Sequence, residues 1–95
     1  MQFLVLSRRR TEAFTAEDIA PMIEPEAQTA RGLYQESFVR QIWHRADVPG
    51  AAMLVEADSL EAATAKLQTL PMYQAGMLEF VTIVPLKPYG GFAPR

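Results

Sequence analysis

FVRQIWHRADVPGAAMLVEA, residues 38–57, is two apolar runs interrupted once. Phe38, Val39, Ile42 and Trp43 give the first run, to Ala46, the β-branched and aromatic side chains of a strand, and residues 51–57 resume the pattern. Between them Asp47, Val48, Pro49 and Gly50 bring together the residue types that break strands and build turns. The stretch reads as a β-hairpin. Directly after it, Asp58 or Ser59 is placed to cap a helix, with Glu61 placed for a reciprocal capping bond. Leu60, Ala63, Leu67 and Leu70 then share one helical face, and Pro71 is expected to end the helix, leaving Tyr73 in a loop. Beyond the loop, MLEFVTIVPL (residues 77–86) is apolar enough for a further strand.

Working back toward the N-terminus, Gln2 to Ser7 form a short apolar run, long enough for one strand and too short for a convincing helix. Arg8, Arg9 and Arg10 follow at once, and three adjacent arginines read as a solvated loop. Thr15 with Asp18 three residues on has the spacing of a helix cap. Ile19, Ile23, Ala27, Ala30 and Tyr34 then recur at helical spacing. Pro21 and Pro25 fall early in this helix, where proline is best tolerated, so its regular part is expected to begin near Pro25. The element order is therefore βαββαβ. It matches the split βαβ, ferredoxin-like arrangement: a four-stranded antiparallel sheet with both helices on one face. Residues 1–86 are expected to form a single α+β domain. Residues 87–95, with Tyr89 and Phe92 but no regular pattern, are expected to be a tail that packs on a neighbouring subunit.

A chain of 95 residues has room for one core. Its net charge of −2 gives no electrostatic footprint for nucleic acid. With no cysteine and one histidine, a disulfide scaffold, a thiolate nucleophile and a multi-histidine metal site are all excluded within one chain. The run before Arg8 is too short for a signal-peptide core, and no stretch approaches the ~20 apolar residues of a membrane span. A cytoplasmic protein that does not engage membranes is expected. The strands are apolar at successive positions (FLVL, AAMLV, FVTIV), whereas a sheet with one wet face alternates. Two helices cover one face only. The other is expected to be covered by a second copy, giving a homodimer packed sheet against sheet around a shared cleft.

Residues 34–86 resemble the muconolactone Δ-isomerase family of the dimeric α+β-barrel superfamily. The features that carry the likeness are the strand with Arg40 and Trp43, the hairpin with Ala46, the acidic Glu56, and the second helix ending in Leu70 and Pro71. Where that family has a second strand arginine this chain has His44, and where it has a glycine after Ala46 this chain has Asp47. The resemblance implies a small, cofactor-free, dimeric or ring-forming enzyme that shifts a proton within an unsaturated lactone in aromatic catabolism. In such chemistry a base takes a proton from carbon conjugated to a carbonyl, and a donor or cation stabilises the enolate. A non-catalytic binder of a small acid and a cofactor-free monooxygenase of the same superfamily are the competing expectations.

If Asp47–Gly50 is the loop, His44 lies opposite Met53, Trp43 opposite Leu54 and Gln41 opposite Glu56. Alternation then puts Val39, Gln41, Trp43, Arg45, Leu54 and Glu56 on one face, and Phe38, Arg40, Ile42, His44, Met53 and Val55 on the other. The first set suits a cleft for a carboxylated lactone: Glu56 as base, Arg45 as substrate or enolate clamp, Trp43 as wall and Gln41 as polar neighbour. His44 is the competing base, since imidazole exchanges protons near neutral pH, and would work with Arg40. Tyr34, Glu36 and Tyr73 are secondary candidates.

Overall fold

A computed structural model describes residues 1–92. Four strands, β1 (Gln2–Arg9), β2 (Val39–His44), β3 (Ala51–Glu56) and β4 (Leu78–Leu86), form one antiparallel sheet in the order β2-β3-β1-β4. That order, with helices between β1 and β2 and between β3 and β4, is the ferredoxin-like arrangement expected from the sequence. All helices lie on one face. The buried strand residues Phe3, Val5, Ser7, Val39, Met53, Val55 and Leu78 meet Ile19, Leu33, Ala63, Leu67, Leu70 and Met72 from the helical layer. Phe3 pairs with Val55, Val5 with Met53 and Arg9 with Leu78, so a single alternation puts them all toward the helices.

The first helical segment is broken by its prolines. Helix α1 (Ala16–Ile19) opens with a complete capping box: Asp18 N–H donates to Thr15 Oγ1 at 3.2 Å, and Thr15 N–H donates to the Asp18 carboxylate at 2.9 Å. Pro21 sits in a 3₁₀ turn, Ala20–Met22, and α2 (Ile23–Gln35) starts beyond it, with Pro25 in its first turn where no N–H is required. Helix α2 ends in a Schellman motif: Phe38 N–H donates to Leu33 O and Ser37 N–H to Tyr34 O. Ser37 takes the left-handed position at φ 68°, where glycine is usual. Both partners of the motif's apolar contact, Leu33 and Phe38, belong to the core.

Helix α3 (Leu60–Leu67) is capped by Ser59, whose hydroxyl accepts from Ala62 N–H at 3.1 Å. Ala62 thus occupies the third helical position, and Glu61, one residue short of it, makes no reciprocal bond. Pro71 also departs from expectation. Helix α3 has already closed at Leu67, and Pro71 opens a fourth helix, α4 (Pro71–Gln74), because a proline fits the first helical position, where the missing N–H is not needed. Tyr73 therefore lies on a helix, its ring stacked on Phe80 at 5.2 Å. Gly76, at φ 75°, ends α4 in the same motif that Ser37 makes, with Met77 N–H donating to Met72 O.

The hairpin register also differs from the one read off the sequence. His44 faces Ala51, Trp43 faces Ala52, Ile42 faces Met53 and Gln41 faces Leu54, two residues from the expected pairing. A bulge then leaves Arg40 unpaired and restores Val39 to Val55. The longer loop has a cause. Gly50 passes so close to β1 that a Cβ there would stand 2.1 Å from the Ser7 carbonyl oxygen, and Pro49 O accepts from Arg9 N–H at 2.9 Å. Contact with β1, rather than the turn residues alone, sets where the hairpin closes.

The face away from the helices carries Leu4, Trp43, Val84 and Leu86, all more than a third exposed, beside the half-buried Leu6 and Leu54. Its polar groups lie toward both ends, where Arg8 bridges Glu12 and Glu79 at one and Gln2 stands opposite Glu56 at the other, with Gln41 and Thr82 between. Of the tail, Tyr89 and Phe92 stack edge to face on each other at 5.0 Å and remain largely exposed. The last three residues of the expected tail, 93–95, lie outside the described residues.

Candidate active site

A cavity of about 340 Å³ opens between α2 and the β2–β3 side of the sheet. Its floor is Val39, Ile42, Met53 and Ala51, its roof Ile23, Ala27, Ala30 and Leu33, and Leu70, Met72 and Leu78 close the inner end. The volume is at the small end of the range for ligand pockets, about 300–1,000 Å³, and fits a single ring. A few polar residues border this apolar shell: Glu26 and Arg31 from α2, His44 from β2, and Ser7 and Arg9 from β1.

Glu26 is the best-placed of them to move a proton. Its Oε1 accepts the N–H of Met72 at 2.9 Å, the second residue of α4, which has no side-chain cap of its own. One carboxylate oxygen is thereby fixed to the backbone. Burial among the apolar walls pushes the Glu26 carboxyl above its ordinary 4.5, outweighing the Met72 N–H and the positive field of Arg9, which both favour the charged form. A carboxyl shifted upward in a cavity suits general acid–base work near neutral pH. His44 stands on the same floor as Ile42, on the helix side of the sheet. Ser7 is fully committed: it is buried, its hydroxyl accepts from Ala51 N–H at 3.1 Å and donates to Ala51 O at 3.5 Å. Arg31 is tied to Glu24 at 2.7 Å.

Of the residues singled out from the sequence, His44 and Trp43 border this cavity and the others stand elsewhere. Glu56 binds Arg40 and the N-terminal ammonium, each at 3.2 Å, at the far end of β3 from the hairpin loop. The bulge brings Arg40 to that carboxylate. Arg45 grips Asp47 through two bonds of 3.0 and 2.7 Å and donates a third to Ser7 O at 3.2 Å, so it straps the loop to β1. Across the ~17 Å length of a six-residue strand, Glu56 and Arg45 do not meet. Gln41 and Tyr34 are exposed, Glu36 pairs with Lys66 on the surface, and Tyr73 packs on Phe80. Glu26 and Arg9 were missed. One lies in a helix read only for its apolar positions, the other in a run of arginines read as a loop. The available signal was Arg9's place two residues beyond Ser7 on the buried alternation of β1. Among the described residues no cluster of three or more His, Asp or Glu side chains could hold a metal ion, and no helix is long and apolar enough to cross a membrane.

The sheet order and the single helical layer define an α+β, ferredoxin-like fold with a pocket between the layers. No protein-family profile matches the sequence, and no curated protein does either. Among solved structures, the chain is similar to 5-chloro-2-hydroxyhydroquinone dehydrochlorinase (TftG) from Burkholderia phenoliruptrix AC1100, solved in complex with 2,5-dihydroxybenzoquinone. The TM-score is 0.64 at 17% identity, over 96% of this chain and 97% of that one, which establishes the shared fold.

Proposed function

We propose that the protein is a cofactor-free enzyme of the dimeric α+β-barrel superfamily that shifts a proton within a small unsaturated ring compound, a lactone or related acid, bound between helix α2 and the sheet. The observation that carries this reading is Glu26: a carboxyl raised by burial in an apolar cavity, with one oxygen held by Met72 N–H. That bond leaves the second oxygen able to take a proton from carbon conjugated to a carbonyl. His44, on the floor of the same cavity, is the group that returns the proton or supports the enolate oxygen. The muconolactone isomerase-like sequence features support the reaction type. The similar dehydrochlorinase, solved with a small oxygenated ring, supports a ligand of that size and shape.

The site so proposed is the cavity within each subunit. The sheet's outer face remains the surface for a second copy. Ultraviolet-monitored isomerisation of muconolactone tests the reading. Glu26→Gln keeps the acceptor for Met72 N–H and removes the base, so we expect it to fold normally and lose about 10²–10⁴-fold in kcat. Wild-type turnover by that variant would remove Glu26 from the mechanism. Saturable binding without conversion by the wild-type protein would favour a binding protein, and oxygen uptake with an electron-rich aromatic a monooxygenase.

A further inference from the structure

We propose that Arg9 is the residue that sets which ligands the cavity accepts, by holding a single anionic group at the β1 end of a flat ring. The inference rests on the cavity being the ligand site but not on proton transfer taking place there.

Arg8 is bound to Glu12 and Glu79, Arg31 to Glu24, Arg40 to Glu56, Arg45 to Asp47 and Lys66 to Glu36, while Arg10 donates to Gly76 O at 3.0 Å. Among the described residues, Arg9 is the one arginine whose guanidinium makes neither an ion pair nor a hydrogen bond, and it is half-buried. An arginine partly withdrawn from water, with no protein partner for its five donors, is placed to bind an anion.

Its position is firmly set. Arg9 pairs with Leu78 across the sheet and its N–H donates to Pro49 O, so the backbone beneath the guanidinium is held on both sides. Alternation from Phe3, Val5 and Ser7 aims the side chain toward the helices. Glu26 feels Arg9's charge yet is not within ion-pair distance of it. Cation and carboxyl therefore share one cavity with space between them. A ring acid placed there would present its carboxylate to Arg9 and its carbon framework to the apolar walls and to Glu26. In an apolar shell such a charge-assisted, two-pronged contact is stronger and more selective than at a surface.

Binding of benzoate and of benzamide, its neutral counterpart of the same shape, measured by calorimetry at neutral pH, tests this directly. Wild-type protein should bind benzoate more tightly than benzamide. Arg9→Gln should weaken benzoate about ten- to hundredfold and leave benzamide unchanged, and Arg9→Lys should recover part of the loss. Arg8→Gln, which alters the neighbouring arginine on the opposite face by the same charge, should change neither. Circular dichroism establishes that each variant is folded. The proposal is overturned if the wild-type protein fails to saturate with benzoate, if it binds the two probes equally, or if Arg9→Gln binds benzoate as the wild type does. Loss of isomerisation in Glu26→Gln leaves these outcomes untouched, so the two readings stand or fall separately.

Discussion

A single carboxyl illustrates how position changes the proton affinity of an ordinary residue. Glu26 on an exposed helix face would titrate like any glutamate. Here the walls of the cavity disfavour its charge, and its folded-state value lies above the ordinary 4.5. The folded chain consequently holds this proton at pH values where the unfolded chain has released it. The contribution to stability is full below the ordinary value and declines as pH rises through the raised one. Glu26→Gln lacks this titration. Its melting temperature, measured against wild type, should gain steadily as pH is raised from the acid range to neutrality, and a constant difference would show that the carboxyl is not destabilised by burial. The surface pairs behave in the opposite sense. Hydrogen bonds from Arg8 and Arg45 hold the Glu12 and Asp47 carboxyls at about 2, below their ordinary 4.5 and 3.8. What they contribute is present above those ordinary values and is lost as pH falls through about 2.

Among the elements, the hairpin shows most clearly how one contact can overrule local turn chemistry. Asp47 to Gly50 would close a four-residue loop on composition alone, yet β2 stops at His44 and the loop reaches over β1. Two devices hold it there: the Arg45 strap to Asp47 and Ser7 O, and the bare approach of Gly50 to Ser7. Adding one methyl group at position 50 should therefore act at a distance. Gly50→Ala is expected to destabilise the protein by about 3 kcal/mol, because the obstructing atom is backbone and has no rotamer to yield. Denaturant titration measures this, and a cost below about 1 kcal/mol would mean that the loop does not depend on the contact. The displaced register matters for the site as well, since it sets His44 opposite Ala51 at the cavity floor.

At the scale of the whole molecule, the helices cover one face of the sheet and leave the other exposed. The chain exposes 6268 Å², against ~5,500 Å² expected for a folded monomer of its mass, and the apolar outer face and the exposed Tyr89 and Phe92 contribute to the excess. Leu4 and Val84 are cross-strand neighbours in the middle of that face. The second copy proposed above would cover them, and a charge placed there would be buried without a partner. Leu4→Glu should consequently shift the protein from dimer to monomer by light scattering at micromolar concentration, with unchanged secondary structure by circular dichroism. A monomeric wild-type protein, or a variant that remains dimeric, would exclude this face as the interface.

The chain order of strands and helices, the two helix caps at Thr15 and Ser59 and the apolar character of both sheet faces are properties of short stretches of sequence. Periodicity and capping chemistry act over a few residues, and for that reason they were legible in advance. The register of β2 on β3, the bulge at Arg40 and the fourth helix at Pro71 depend on which backbone passes near which, and contact of the loop with β1 displaces the pairing by two residues from what the turn residues alone favour. The site illustrates the same division. His44 could be set on the face of Met53 and Val55 because alternation along the hairpin is local, while Trp43 was assigned to the outer face and reaches only the border of the cavity. Glu26 and Arg9 are separated by a strand end, a turn and two prolines, and neither has a local pattern that marks it. Only the packing of α2 over the sheet brings them into one enclosure, where loss of water alters the proton affinity of the first and leaves the second without a partner.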